Sequence, residues 1–221
     1  MLSKMVNTFF IVLLFISFGQ TISLSQNKFE GKVNFQVTDE GGKSTMLNYF
    51  VKDKKFRMEG PENQGAFIFD ATSNKMMILM DAQKMYMEIP FDLKEEMSKS
   101  KEETKGDFKA TGETKDILGY KCEKFIYNDD DTKNEMWLTK ELGGFMFFND
   151  PKQMEGSGND WQTKLLTEGY FPMVVMELSS GGAVKSKFEV KSLEPKKLDN
   201  SMFSVPSGYQ KFSMPNMNMN K

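Results

Sequence analysis

The stretch AFIFDATSNKMMILM, residues 66–80, contains two runs that are apolar at every position. Residues 66–69 and 76–80 are each too short for a typical helix, and the polar residues between them are turn formers. Side chains of a strand point alternately to its two faces, so an uninterrupted apolar strand needs cover on both faces. We therefore predict two strands here, with the second face covered by a helix or by a ligand.

The segments around these runs alternate between apolar and polar residues instead. In residues 29–38, FEGKVNFQVT, the apolar side chains fall on one face and the polar ones on the other, which is typical of a strand with one wet face. The same criteria, together with Gly- and Asp-rich turns, predict further strands at residues 44–52, 54–59, 84–89, near 107–113, and at 120–127, 134–139, 172–179 and 183–194.

Helical patterns are few. Residues 91–105, FDLKEEMSKSKEETK, are strong helix formers with a thin apolar stripe, which indicates a surface helix. Residues 161–167 predict a helical turn, and residues 141–155 a loop or short helix. About ten short, mostly antiparallel strands with two or three helices place the chain in the mainly β, α+β class, and no linker divides residues 29–210.

The first 25 residues have the pattern of a cleavable export signal. Lys4 precedes the apolar run FFIVLLFISF at residues 9–18, and small residues follow at Ser23 and Ser25. This run is far shorter than the roughly 20 residues that span a bilayer, so we expect no transmembrane anchor. The mature chain would begin near Gln26 and work in the periplasm or outside the cell.

The amino-acid composition excludes several kinds of functional site. Histidine is absent, and the only cysteine is Cys122, so no Ser–His or Cys–His pair and no internal disulfide can form. Arg57 is the only arginine and the net charge is −2, which argues against nucleic acid as a partner. We therefore predict a protein that is not an enzyme and uses no cofactor.

The chain holds 19 methionines, five of them on the predicted hairpin at residues 76–87. Methionine fills irregular gaps in a core, and it also forms deformable linings for apolar ligands, so both interpretations stay open. Residues 211–221 end in a Met/Asn tail, for which we predict flexibility rather than a Cu(I) site, since no His or Cys lies nearby. The acidic residues 129–131 lack the spacing of a calcium loop.

Three segments carry a family resemblance: YFVKDKKFRMEG (49–60), TGETKDILGYKCEKFIY (111–127) with EMWLT (135–139), and GYFPMVVMEL (169–178) with DNSMFSVPSGY (199–209). In this order they resemble the secreted bacterial family called domain of unknown function 4412, which is similar to the LolA/LolB-like lipoprotein-sorting superfamily. The resemblance implies a strongly curved antiparallel sheet, an incomplete barrel closed by short helices over an apolar cavity, in one domain at residues 26–210. Such cavities accept lipids or the acyl chains of lipoproteins.

Together these observations predict an exported, non-enzymatic binding protein that holds a lipid or other apolar ligand in a half-barrel cavity. Its partners would be that small molecule and, in the bacterial envelope, a lipoprotein or other envelope protein. The alternative is a structural or interaction protein of the envelope whose core is filled by its own side chains. The predicted lining residues of the cavity are Phe35, Tyr49, Phe67, Phe69, Met77, Leu79, Met85, Met87, Met136, Val174 and Met176.

Overall fold

The computed structural model describes residues 29–61, 65–91, 106–128, 132–146 and 160–212. Outside these residues lie the predicted export signal (1–25), the predicted helix 91–105 except Phe91, the acidic residues 129–131, most of the segment 141–155, and the Met/Asn tail beyond Phe212.

The described residues form one sheet of twelve strands in the order β12-β6-β5-β4-β3-β2-β1-β11-β10-β9-β8-β7. All neighbours are antiparallel except β12 and β6, which run parallel, and the sheet is open because β12 and β7 form its two edges. The strands are β1 Gly31–Thr38, β2 Ser44–Lys52, β3 Lys55–Glu59, β4 Ala66–Asp70, β5 Lys75–Met80, β6 Met85–Pro90, β7 Asp107–Ile117, β8 Tyr120–Asn128, β9 Thr132–Thr139, β10 Phe171–Ser179, β11 Val184–Pro195 and β12 Gln210–Lys211.

The predicted mainly β, mostly antiparallel class is confirmed, with two more strands than the sequence indicated. The predicted turn at residues 161–167 is part of an α-helix, α1, at Asp160–Glu168. Residues 142–146, predicted as loop or short helix, are neither helix nor strand. In the part of the chain that is described, α1 is the one α-helix, and 3₁₀ helices lie at Asp81–Gln83 and Asn200–Phe203; closure of the sheet by short helices stays a prediction.

Local sequence explains the tight hairpins. Between β1 and β2 the Asp39 backbone N–H donates to Lys43 O at 3.0 Å, and the Asp39 carboxylate accepts from the Lys43 N–H at 2.9 Å. Gly42 adopts a φ of 78°, which glycine reaches without steric cost. This turn sets the β1–β2 register, which places Phe35 opposite Leu47 and Val33 opposite Tyr49.

The sheet has two apolar faces. We call the face that carries Tyr49, Phe56 and Phe69 the inner face, and the face that carries Phe50 and Ile68 the outer face. The inner face holds the large core cluster, which extends from β1 to β5 and from β8 to β11. A separate outer cluster contains Phe50, Ala66, Ile68, Leu79, Leu198 and Phe203. Strand β4 therefore contributes to both clusters, as its continuous apolar run predicts.

The cover on the outer face comes from the chain itself and includes a short 3₁₀ helix, Asn200–Phe203. It is the C-terminal segment 196–212, which we call the strap; it leaves β11, crosses the outer face and ends as β12 beside β6. Leu198 and Phe203 of the strap pack on Ile68 and Leu79, which are 0% and 2% exposed. Burying an aliphatic side chain of this size contributes about 1.5–3 kcal/mol.

Charged side chains form a ladder across β7, β8 and β9. Lys124 Nζ lies 3.3 Å from Glu113 Oε1 and 3.5 Å from Glu135 Oε2, and Lys133 Nζ lies 2.7 Å from Glu135 Oε1. The hydrogen bond from Lys133 is the main cause that lowers the pKa of Glu135, and the charge of Lys124 adds to it. The ionised Glu135 carboxylate therefore stabilises the folded state.

We expect Glu135→Gln to lower stability only where this carboxylate is ionised. Because the pKa of Glu135 is lower in the folded than in the unfolded state, its contribution is present above the unfolded value and is lost as the pH falls through the folded value. Urea unfolding should show a loss of up to about 1 kcal/mol at about pH 7, and no difference from wild type at about pH 2. Glu194→Gln, at a carboxylate whose side chain is 51% exposed, is the control. An equal loss at both pH values would contradict the prediction.

Candidate ligand-binding site

The middle of the inner face is filled by Phe145. Its ring lies 4.5 Å from the ring of Tyr49 and 5.1 Å from that of Phe171, measured between centroids, and 6.2 and 5.7 Å from the rings of Phe35 and Phe188. Phe145 is 1% exposed, and Tyr49 and Phe171 are fully buried. A side chain of the protein itself thus occupies the position at which the sequence predicted a ligand.

The loop that carries Phe145 is held from two sides. Met146 N–H donates to the Tyr49 hydroxyl at 3.4 Å, and burial raises the pKa of Tyr49 well above its ordinary value, so the hydroxyl stays neutral. On the other side Gly144 contacts α1: a Cβ at this position would lie 2.5 Å from the Leu166 carbonyl oxygen. Glycine is therefore needed for the loop to approach the helix.

Phe145→Ala should destabilise the protein by about 3–5 kcal/mol, because it leaves a cavity among four aromatic rings that cannot collapse onto one another. Chemical denaturation followed by tryptophan fluorescence measures the change. The control is Met46→Ala, at a side chain that is 51% exposed, which should shift the unfolding free energy by less than about 0.5 kcal/mol. A loss below about 1 kcal/mol for Phe145→Ala would show that the ring is not packed as described.

A second apolar surface lies on the inner face at the β4–β6 end of the sheet. Here the register pairs Phe67 with Ile78, Ile78 with Met87, and Met80 with Met85. All five side chains are half-buried, whereas Phe69 and Met76, next to them on the same strands, are 0% and 2% exposed. We call this group the methionine row: Phe67, Ile78, Met80, Met85 and Met87.

The row borders the filled core without a break. Met58, opposite Phe67 in the β3–β4 register, is 9% exposed and belongs to the core cluster. Ile89 and Phe91 flank the row at its other end, and the Phe91 ring packs edge-on against Phe69 at 5.3 Å. Unbranched thioethers can repack around guests of different shape, which makes this row a suitable surface for a flexible apolar ligand.

The structure divides the predicted lining residues into three groups. Seven lie on the inner face: Phe35, Tyr49, Phe69 and Met136 are buried in the core cluster, while Phe67, Met85 and Met87 belong to the methionine row. Met77 and Leu79 instead belong to the outer cluster beneath the strap. They cannot line the same surface as Ile78, because successive residues of β5 point to opposite faces.

Val174 and Met176 form the third group. They alternate along β10 with Met173 and Val175, which are the residues of this strand that enter the core cluster. The register places Val174 beside Trp137 and Met176 beside Glu135 on β9. These two side chains therefore do not line the inner face.

Sequence reasoning missed Phe145 and Ile78. Phe145 lies in a segment predicted as loop or short helix, and the run FMFF at residues 145–148 was the available signal, since such a run seldom faces water. Ile78 was missed because Met77 and Leu79 were assigned to the cavity in its place. The prediction was thus displaced by one residue along the strand, which exchanges the two faces of the sheet.

Two features of the described residues concern metal binding and the reactivity of the thiol. They contain no group of three or more His, Cys, Asp or Glu side chains that could hold a metal ion. Cys122 is fully buried, and burial is the main cause that raises the pKa of its thiol to about 11, so the thiol is protonated and inert near neutral pH. None of the described helices is long and apolar enough to cross a bilayer.

A family model described as "Domain of unknown function (DUF4412)" matches residues 29–209, most of the chain. The chain belongs to this family. The predicted family membership is thereby confirmed. No curated protein matches this member of the DUF4412 family.

Solved structures similar to this DUF4412 chain include an uncharacterized conserved protein from Thermus thermophilus, with 10% identity, a TM-score of 0.50 and coverage of 83% of this chain and 90% of that one. PNGF-II shares 15% identity at a TM-score of 0.51, but the match covers 83% of this chain and only 31% of that chain. A LolA superfamily protein from Nitrosomonas europaea matches with 8% identity and a TM-score of 0.32, over 83% of this chain and 92% of that chain. The first two matches indicate a shared fold only.

Proposed function

We propose that this protein is an exported, non-enzymatic half-barrel that holds a lipid or another apolar ligand along the methionine row. The observation that carries the proposal is the row itself: five apolar side chains on two adjoining hairpins remain half-buried beside a closely packed core. The pattern of residues 1–25 supports export into the bacterial envelope.

The ligand would lie against the row rather than in the middle of the sheet. In the middle, a guest would have to displace Phe145 from contact with Tyr49 and Phe171, which costs the packing of a buried aromatic ring. At the row, a guest adds apolar contacts to side chains that the described residues leave half-buried. The filled centre then provides a rigid floor for the bound ligand.

Simple energetics favour a long chain. Burial of an acyl chain gives about 0.8 kcal/mol per methylene, so ten methylenes give about 8 kcal/mol. Association costs about 4–15 kcal/mol, so a short chain would not bind measurably. The β4–β6 strands are already formed by their own ladder, which lowers the ordering cost at the site.

A second candidate is an interaction protein of the envelope with a self-filled core. The packing of Phe145 on Tyr49 and Phe171 favours it, because this part of the inner face has no need of a guest. In that case the methionine row would be the margin of an ordinary core.

Titration with the fluorescent fatty acid cis-parinaric acid separates the two candidates. Wild type should bind it saturably, and Met87→Lys should weaken binding at least about tenfold, since an ammonium group would be desolvated beside the acyl chain. Met46→Lys adds the same charge at an exposed methionine on β2 and should bind as wild type does. Absence of saturable binding to folded wild type would favour the self-filled candidate, and equal weakening by both variants would remove the row as the site.

A further inference from the structure

The strap is fastened to the sheet at both of its ends and in its middle. At its start, Leu198 N–H donates to Glu30 Oε1 at 2.7 Å, and the Leu198 carbonyl accepts from Lys52 Nζ at 2.5 Å. In the middle, Arg57 Nη1 donates to the Met202 carbonyl at 2.9 Å. At its end, the Tyr209 hydroxyl donates to Asp81 Oδ1 at 2.7 Å.

Arg57 makes a pair of hydrogen bonds that a lysine could not make. Its Nε donates to Glu59 Oε1 at 2.8 Å while its Nη1 reaches the strap, and its side chain is only 14% exposed. A guanidinium presents donors in a fixed fork and can hold both partners at once, whereas an ammonium is a single point charge. The only arginine of the chain thus joins β3 to the strap.

The final contacts of the strap fall on the edge hairpin, β5–β6. Gln210 N–H donates to the Lys84 carbonyl at 2.9 Å, and Phe212 N–H donates to the Tyr86 carbonyl at 2.7 Å. Asp81, which accepts from Tyr209, lies in the connection between β5 and β6. The hairpin is therefore held by β4 on one side and by the strap on the other.

The same hairpin carries most of the methionine row. On β5, Leu79 faces the strap on the outer face while Ile78 belongs to the row on the inner face. On β6, Tyr86 packs against the outer cluster while Met85 and Met87 belong to the row. Any displacement of the hairpin that follows release of the strap must therefore move the row.

We infer that the strap is a latch for the β5–β6 hairpin and controls how readily an apolar ligand enters and leaves the methionine row. The part of this inference that concerns ligand exchange, the ligand half, rests on the proposed function. The part that concerns the strap and the hairpin, the latch half, does not. With the strap fastened, the hairpin is fixed and a bound chain exchanges slowly. When the end of the strap is released, β6 becomes a free edge, the hairpin opens more often, and the ligand exchanges faster.

Amide hydrogen exchange tests the latch without any ligand. Tyr209→Phe removes the hydrogen bond to Asp81 with little change in shape, and should speed exchange at residues 75–90 about tenfold, as expected for loss of one hydrogen bond to a charged group. Arg57→Lys, which loses the fork, should do the same for residues 55–59 and the strap. Exchange in β8 and β9 should stay at the wild-type rate. Tyr120→Phe on β8 removes a hydroxyl far along the sheet order and is the matched control.

The ligand half is tested by stopped-flow dissociation of cis-parinaric acid. Tyr209→Phe should raise the dissociation rate about tenfold relative to wild type and to Tyr120→Phe. Unchanged amide exchange at residues 75–90 in Tyr209→Phe would overturn the latch. Faster amide exchange with an unchanged dissociation rate would overturn control of the ligand. If folded wild type binds no probe, the proposed function and the ligand half fail together, and amide exchange alone decides the latch.

Discussion

Side chains of a β-strand point alternately to the two faces of its sheet, so a strand that is apolar throughout must be covered twice. Strand β4 imposes this constraint: Phe69 enters the inner cluster and Ile68 the outer one. Segments of the chain itself provide both covers. The loop with Phe145, together with Leu165 and Leu166 of α1, covers the middle of the inner face, and the strap covers the outer face. Each cover is specific, since Gly144 lets the loop reach α1 and Arg57 fixes the strap.

The two covers bury different parts of the sheet. On the outer face the strap reaches β6, so Leu79 and Ile68 are closed off from water. On the inner face Phe145 packs against residues of β1, β2, β10 and β11, at a distance in the sheet order from β5 and β6. Except for Met76, the apolar side chains of the β5–β6 hairpin on that face stay half-buried, and this is the physical basis for proposing a ligand there. In our proposals one hairpin carries both the ligand site and the contacts of the latch, because successive residues of its strands point to opposite faces.

Most strands could be predicted from the sequence because their signals are local. The alternation in residues 29–38 and the glycine-containing turn that follows fix β1, β2 and their pairing within a short stretch of chain. The site was predicted less well, for two physical reasons. In an uninterrupted apolar run, no polar residue indicates which side chains point to which face of the sheet. Met77 and Leu79 were therefore assigned to the wrong face. Long-range cover leaves little local pattern. The run FMFF indicates that Phe145 is buried, but neither its packing on Tyr49 nor that of the strap on Ile68 can be inferred from neighbouring residues.

We propose that the ligand lies on the β5–β6 hairpin, whereas Phe145 fills the middle of the inner face. A crystal structure with a fatty acid brominated at the end of its chain tests this directly, because the anomalous signal of bromine marks the position of the tail. We predict the bromine beside Ile78 and Met87, with the Phe145 ring still packed on Tyr49. Bromine located against Tyr49, with Phe145 displaced from the sheet, would contradict this placement of the ligand.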